Sequence, residues 1–150
     1  MDDSYNKSLE LLDSTLRLVS KQTNSDENRI RLLNSFGFTL RFVGEFSEAI
    51  RLLGESLSLC KIAYDGPHGN QAQAYEYLAI CYRDINEFDS VRFHITQAEK
   101  IYLEVFHETD KRLGLFLNNA AVMVGALGDQ DQALDDFRQV FPSKYSITMQ

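Results

Sequence analysis

The side chains with the chemistry for catalysis or metal binding are few and scattered along this chain. His68, His94 and His107 are separated by 26 and 13 residues, and none of them stands four residues from another histidine or a cysteine. Ligation from a helix needs paired ligands on one face, typically at i and i+4, so neither a metal site nor a cofactor is expected. His68 and His107 are expected at or near helix ends, and His94 on a helix surface. The stretch "DGPHGN", residues 65–70, lacks the glycine spacing and the Lys-Ser/Thr of a phosphate loop. Without paired carboxylates or a nucleophile beside a base, the expectation is a protein that is not an enzyme. Cys60 and Cys81 form no CxxC pair and are too sparse for a disulfide scaffold, so they read as two small buried hydrophobes in a reducing setting.

Composition narrows the partners. The 150 residues carry a formal charge of −7 with no local basic patch, which excludes a phosphate-backbone partner such as nucleic acid. The N-terminal "MDDSYNKSLELLDSTL" is acidic and amphipathic, unlike a secretory signal. No apolar run approaches the ~20 residues that span a bilayer, so a soluble, cytoplasmic protein without membrane contact is expected. What remains is recognition chemistry: arginines, asparagines and aromatic residues whose use depends on the elements that carry them.

Those elements are helices. Apolar residues recur at three- and four-residue spacing over 5–20, 27–43, 46–63, 70–84, 87–106, 110–126 and 130–141, and the two prolines fall outside these segments. About seven helices joined by alternating tight and longer turns predict an all-α stack of antiparallel hairpins. The tight turns "VGEF", "INEF" and "LGDQ" place Gly44, Asn86 and Gly128 just after an apolar run, where a left-handed residue ends a helix. The longer connections around Asp26, Pro67 and Asp110 carry N-cap residues.

Gly44, Asn86 and Gly128 stand 42 residues apart, and the flanking helices repeat at the same interval. In the first helix of each hairpin Leu33, Tyr75 and Leu117 align, then Phe36, Leu78 and Ala120, then Gly37, Ala79 and Ala121, then Leu40, Tyr82 and Val124. The small residue in the third set is expected where the two helices of a hairpin approach closest. In the second helix Ala49, Val91 and Ala133 align, as do Leu53, Ile95 and Phe137, and Ser56, Ala98 and Val140. Gln130 replaces the aromatic of Phe46 and Phe88, so the last hairpin is expected to be the least tightly closed.

This arrangement of large-small pairs, a glycine turn and alternating alanine and aromatic positions resembles the tetratricopeptide repeat. The resemblance implies an α-solenoid, a right-handed superhelix of helix hairpins, with repeats at 27–66, 69–108 and 111–141, a half-repeat or capping helix at 5–20 and a tail at 142–150. The common repeat has roughly 34 residues; the 42-residue form is similar to that of kinesin light chains. "HGN" at His68 and "LNNAA" at Leu117 to Ala121 echo their "HP" and "LNNLA", with Gly69 in place of the proline. In the N-terminal helix Ser8 takes the Ala49 position and Leu12 the Leu53 position, as in a second helix without its first.

Repeats of this kind offer a concave surface where first helices line up. The face opposite the core contact carries Arg31, Asn34, Ser35, Phe38, Arg41 and Phe42 in the first repeat. The second contributes Gln73, Glu76, Tyr77, Ile80, Arg83 and Asp84, and the third Leu115, Asn118, Asn119, Val122, Gly125 and Ala126. Phe38, Ile80 and Val122 share one position and form an apolar stripe, either a binding groove or a seam buried within the superhelix. Arg41 and Arg83 share another and are expected to receive a carboxylate together, or to pair internally with Glu76 or Asp84. Asn34, Asn118 and Asn119 offer amides to the backbone of an extended peptide. In the light chains asparagines of "LNN" play that part and arginines read acidic residues, a resemblance that reaches Asn118 and Asn119 by motif and Arg41 and Arg83 by position. No lysine falls on this face, which argues against the carboxylate clamp of chaperone-binding repeats.

The expected function is a scaffold or adaptor module that binds a partner's peptide segment, with apolar anchors and acidic residues, in the concave groove. The alternatives are self-assembly through exposed repeat ends, as a homo-oligomer or within a larger array, and a small bacterial secretion chaperone. The 42-residue period counts against the chaperone.

Overall fold

The computed structural model of the chain describes residues 3–22 and 25–125. Among them are six α-helices and no strand: α1 (Asp3–Gln22), α2 (Asp26–Phe42), α3 (Phe46–Ala63), α4 (Gly69–Asp84), α5 (Phe88–Val105) and α6 (Lys111–Gly125). Each matches one of the first six expected segments to within two residues at either end. The seventh, 130–141 with Gln130, lies outside the described residues, as do Gly128 and the tail. No described helix is long and apolar enough to cross a membrane.

The helices begin and end where local chemistry tells them to. Ser25 Oγ, His68 Nδ1 and Asp110 Oδ1 accept from the backbone N–H groups of Asn28, Asn70 and Arg112 at 3.3, 3.1 and 2.8 Å, capping α2, α4 and α6. Gly44 and Asn86 both take the left-handed conformation, at φ +80° and +61°. After Gly44, the Glu45 N–H donates to Leu40 O at 3.1 Å; after Asn86, the Glu87 N–H donates to Tyr82 O at 2.9 Å. The same closure is thus made twice, 42 residues apart, and turns the chain sharply back on itself.

α2 packs along α3 and α4 along α5 as two antiparallel hairpins; α3 meets α4, and α2, α4 and α6 lie side by side. The apolar core runs between first and second helices. Leu33, Leu40, Ala49, Leu52 and Leu53 fill the first hairpin with Leu12 of α1 against them, and Ala79, Val91, Ile95, Ala98 and Phe116 fill the second. The small residue expected at the closest approach is required at Gly37, where a Cβ would stand 2.6 Å from Leu53 Cγ. Ala79 in the same register is fully buried, whereas Ala121 is exposed and the helix expected over it lies outside the described residues. Ser8 is also exposed, unlike Ala49, and donates to the Ser4 carbonyl of its own helix at 2.8 Å.

Both cysteines are buried, and burial pushes each thiol up to about 11, so neither is a ready nucleophile. His94 is not the surface residue expected of it. Its ring lies half-buried, stacked on Tyr82 at 4.9 Å and edge-on to Phe93 at 5.0 Å, with Nδ1 2.6 Å from Ser90 O. Among the described residues no group of His, Cys, Asp and Glu gathers as a metal site.

Candidate functional site

A groove crosses the first helices and opens into a cavity of about 550 Å³, within the roughly 300–1,000 Å³ range of binding pockets. Phe38 of α2 and Tyr77 of α4 form one wall, their rings stacked at 4.4 Å, with Ile80 beneath them. Leu115 and Phe116 of α6, with Tyr102, Val105 and Phe106, complete the apolar lining. Gln73, Glu76 and Asn119 supply its polar floor, and Glu27, Arg31, His68, Asn70 and Arg112 also line it. Tyr102 and Val105 come from the C-terminal part of a second helix, and Phe106 from the residue that follows it.

Glu76 is the buried polar centre of this floor, at 6% exposure. Its Oε2 accepts from the Tyr102 hydroxyl at 2.7 Å and its Oε1 from Asn119 Nδ2 at 2.9 Å. Burial first, and the Glu76 carboxylate second, hold the Tyr102 phenol well above its ordinary value, so it stays a proton donor. One carboxylate thus ties α4 to both α5 and α6.

The structure brings together Arg31, Phe38, Gln73, Glu76, Tyr77, Ile80, Leu115 and Asn119 of the sequence-derived face around this cavity. Asn34 is different, because it is fully buried and its amide is already committed. Its Nδ2 donates to Asn70 O at 2.9 Å and to Gln73 Oε1 at 3.3 Å, and its Oδ1 accepts from Ser56 Oγ at 2.6 Å. It joins α2 to α3 and α4, and the expectation that it reads a peptide backbone is corrected on that ground.

The apolar stripe also divides. Phe38 and Ile80 line the cavity, Ile80 with only 8% of its surface exposed, while Val122 is 59% exposed and lies outside it. Arg41 and Arg83 do not form a free fork. Arg41 pairs with Asp84 and lies over the rings of Phe38 and Phe42 at 5.5 and 5.0 Å, and Arg83 reaches the same Asp84 at 3.5 Å. The internal ion pair is therefore the arrangement formed, with Asp84 as its acid. Phe42 is exposed beside Arg41, Asn118 is exposed on α6, and neither lines the cavity. Ser35 is exposed and Gly125 partly so; Ala126 lies outside the described residues.

Counting along first helices alone missed Tyr102, Val105, Phe106, Arg112 and Phe116. A signal for Tyr102 was present: it stands 42 residues after Cys60, so one repeat position passes from a small to a large side chain. Phe106 also packs against Gly69: a Cβ there would stand 2.8 Å from Phe106 Cζ, so a larger residue at that position requires the phenyl ring to shift.

Antiparallel helix hairpins stacked with their first helices side by side, and a groove running across those helices, define an α-solenoid of helix pairs. The family model for the tetratricopeptide repeat matches residues 28–104, just over half of the chain and nearly all of α2 through α5. The chain belongs to the tetratricopeptide-repeat family. No curated protein matches it.

Proposed function

We propose that this chain is a non-catalytic adaptor that holds a segment of a partner protein in the groove across α2, α4 and α6. The observation that carries the reading is the cavity of about 550 Å³ walled by Phe38, Tyr77, Ile80 and Leu115 from three successive first helices. Apolar walls around a few polar groups suit a short segment with one or two large apolar anchors. Arg31 in the lining suits an acidic residue of that segment, a part that Arg41 and Arg83 are not free to play. The 42-residue spacing of the left-handed Gly44 and Asn86 supports a kinesin-light-chain-like subtype, and a cytoplasmic setting suits two buried thiols.

Leu115 is 64% exposed and Arg31 is exposed, so both can be changed without touching the core. Selection of peptides from a phage-displayed random dodecapeptide library should yield binders to the wild-type chain, and Leu115→Asp with Arg31→Glu should abolish their binding without shifting the thermal melt. Unchanged affinity in that folded double variant would sink the groove reading.

A further inference from the structure

The floor of the groove holds a charge that the protein leaves unanswered. Glu76 is nine-tenths buried, yet its two partners, the Tyr102 hydroxyl and the Asn119 amide, are neutral donors. Among the described residues no arginine, lysine or histidine forms an ion pair with it. The two arginines that border the same cavity are placed otherwise. Arg112 is bound to Asp110 at 2.7 and 3.0 Å and lies over the Phe106 ring at 4.0 Å, and Arg31 is exposed on α2.

Two accepted hydrogen bonds leave lone pairs on both carboxylate oxygens, since an ionised carboxylate has about four acceptor sites. The rings of Phe38, Tyr77, Tyr102, Phe106 and Phe116 share the lining with the aliphatic Ile80, Val105 and Leu115 and with Glu27 and His68. Aromatic faces carry negative electrostatic potential and attract cations, more strongly where water is excluded. A buried anion among aromatic rings repels an acidic occupant, and a neutral one leaves its charge uncompensated. Charge complementarity therefore selects a cation on an apolar stem, and a cavity of about 550 Å³ has room for one.

We propose that Glu76 forms the floor of a subsite for one basic side chain, arginine or lysine, of the partner segment, its stem along the aromatic walls and its head donating to the Glu76 carboxylate. This rests on the groove being the peptide site. The partner segment then carries a basic anchor beside its apolar one, with the acidic residue outside, toward Arg31.

The test uses the 150-residue chain and its Glu76→Gln variant against the random dodecapeptide library, with sequencing of the selected pools. Wild type should enrich arginine or lysine at a fixed spacing from an apolar residue, and Glu76→Gln should keep the apolar preference and lose the basic one. In the tightest wild-type peptide, replacing the basic residue by neutral citrulline should weaken binding about tenfold or more. That measurement reads the contact on the wild-type protein even where Glu76→Gln does not fold. Groove-dependent peptides with no basic enrichment, or a citrulline peptide of undiminished affinity, overturn the subsite and leave the groove standing. If no peptide is selected, or the peptides ignore Leu115→Asp with Arg31→Glu, the groove and the subsite fall together.

Discussion

Asn34 separates a structural role from a binding role by measurement. Replacing it with leucine keeps a branched side chain but removes every polar contact it makes. The largest loss is at Ser56, which is itself fully buried and whose hydroxyl donates to Asn34 Oδ1 at 2.6 Å. Without Asn34 that buried hydroxyl keeps only the weakly accepting Cys60 sulfur one turn on, a loss at the lower end of the roughly 1–3 kcal/mol of an orphaned group. The bond to Asn70 O at 2.9 Å adds about 0.5–1.5 kcal/mol; the longer one to Gln73, a partly exposed residue, adds little. Asn34→Leu is thus expected to destabilise the chain by about 2 kcal/mol, or roughly 4–8 °C in Tm at this size.

Urea unfolding followed by far-UV circular dichroism measures the loss, and adding Ser56→Ala gives a thermodynamic cycle. Replacing both partners of a buried hydrogen bond with apolar groups is far milder than orphaning one. The double variant should recover about 1 kcal/mol relative to the sum of the single changes. A loss below about 0.5 kcal/mol for Asn34→Leu, with additive single changes, would refute the buried link and return Asn34 to the peptide-reading role. In that case peptide affinity, not stability, would fall.

At the turns, Gly44→Ala should cost about 1 kcal/mol while Asn86→Gly is neutral or stabilising, because an added Cβ at Gly44 meets nothing within 4 Å and only its positive φ is penalised; equal melting shifts in the two variants would count against left-handed closures. Burial holds His94 below its ordinary value of 6.5, so the unfolded chain binds that proton more readily. Stability from this residue should be complete above about pH 6.5 and decline as pH falls below it, and His94→Gln should flatten the profile there; a wild type that gains stability on acidification through this window contradicts the assignment.

Much of the fold was legible because it is written locally. Helical periodicity, the residues at 44 and 86 and the N-cap connections around Asp26, Pro67 and Asp110 each act within a few residues, so sequence spacing places them, though Ser25 and His68 as the capping side chains emerge only from the structure. The groove was legible only in part, because the inner face of a first helix depends on what lies beside it. Counting assigned Asn34 and Glu76 to the same exposed position, 42 residues apart, yet both are buried: Asn34 against Ser56 of the second helix, Glu76 against Tyr102. Which arginine keeps a free charge is a question of register between repeats, settled by Asp84 lying within reach of Arg41 across 43 residues.

These polar contacts show what joins one repeat to the next. Each hairpin is held by apolar packing with a buried hydrogen bond inside it, Ser56 to Asn34 and Tyr102 to Glu76, while across the first helices the polar ties are Asn34 to Gln73, Arg41 to Asp84 and Asn119 to Glu76. Directional contacts of this kind fix the angle between neighbours more sharply than apolar contact does. The groove walls inherit that angle, since Phe38 meets Tyr77 only when α2 and α4 keep it. Glu76 belongs to both systems, closing the α4–α6 joint through Asn119 while facing the cavity. A partner that donates to Glu76 and also packs on Leu115 binds best to the chain in which α6 is docked, so by linkage its binding free energy also stabilises the stacking of α6.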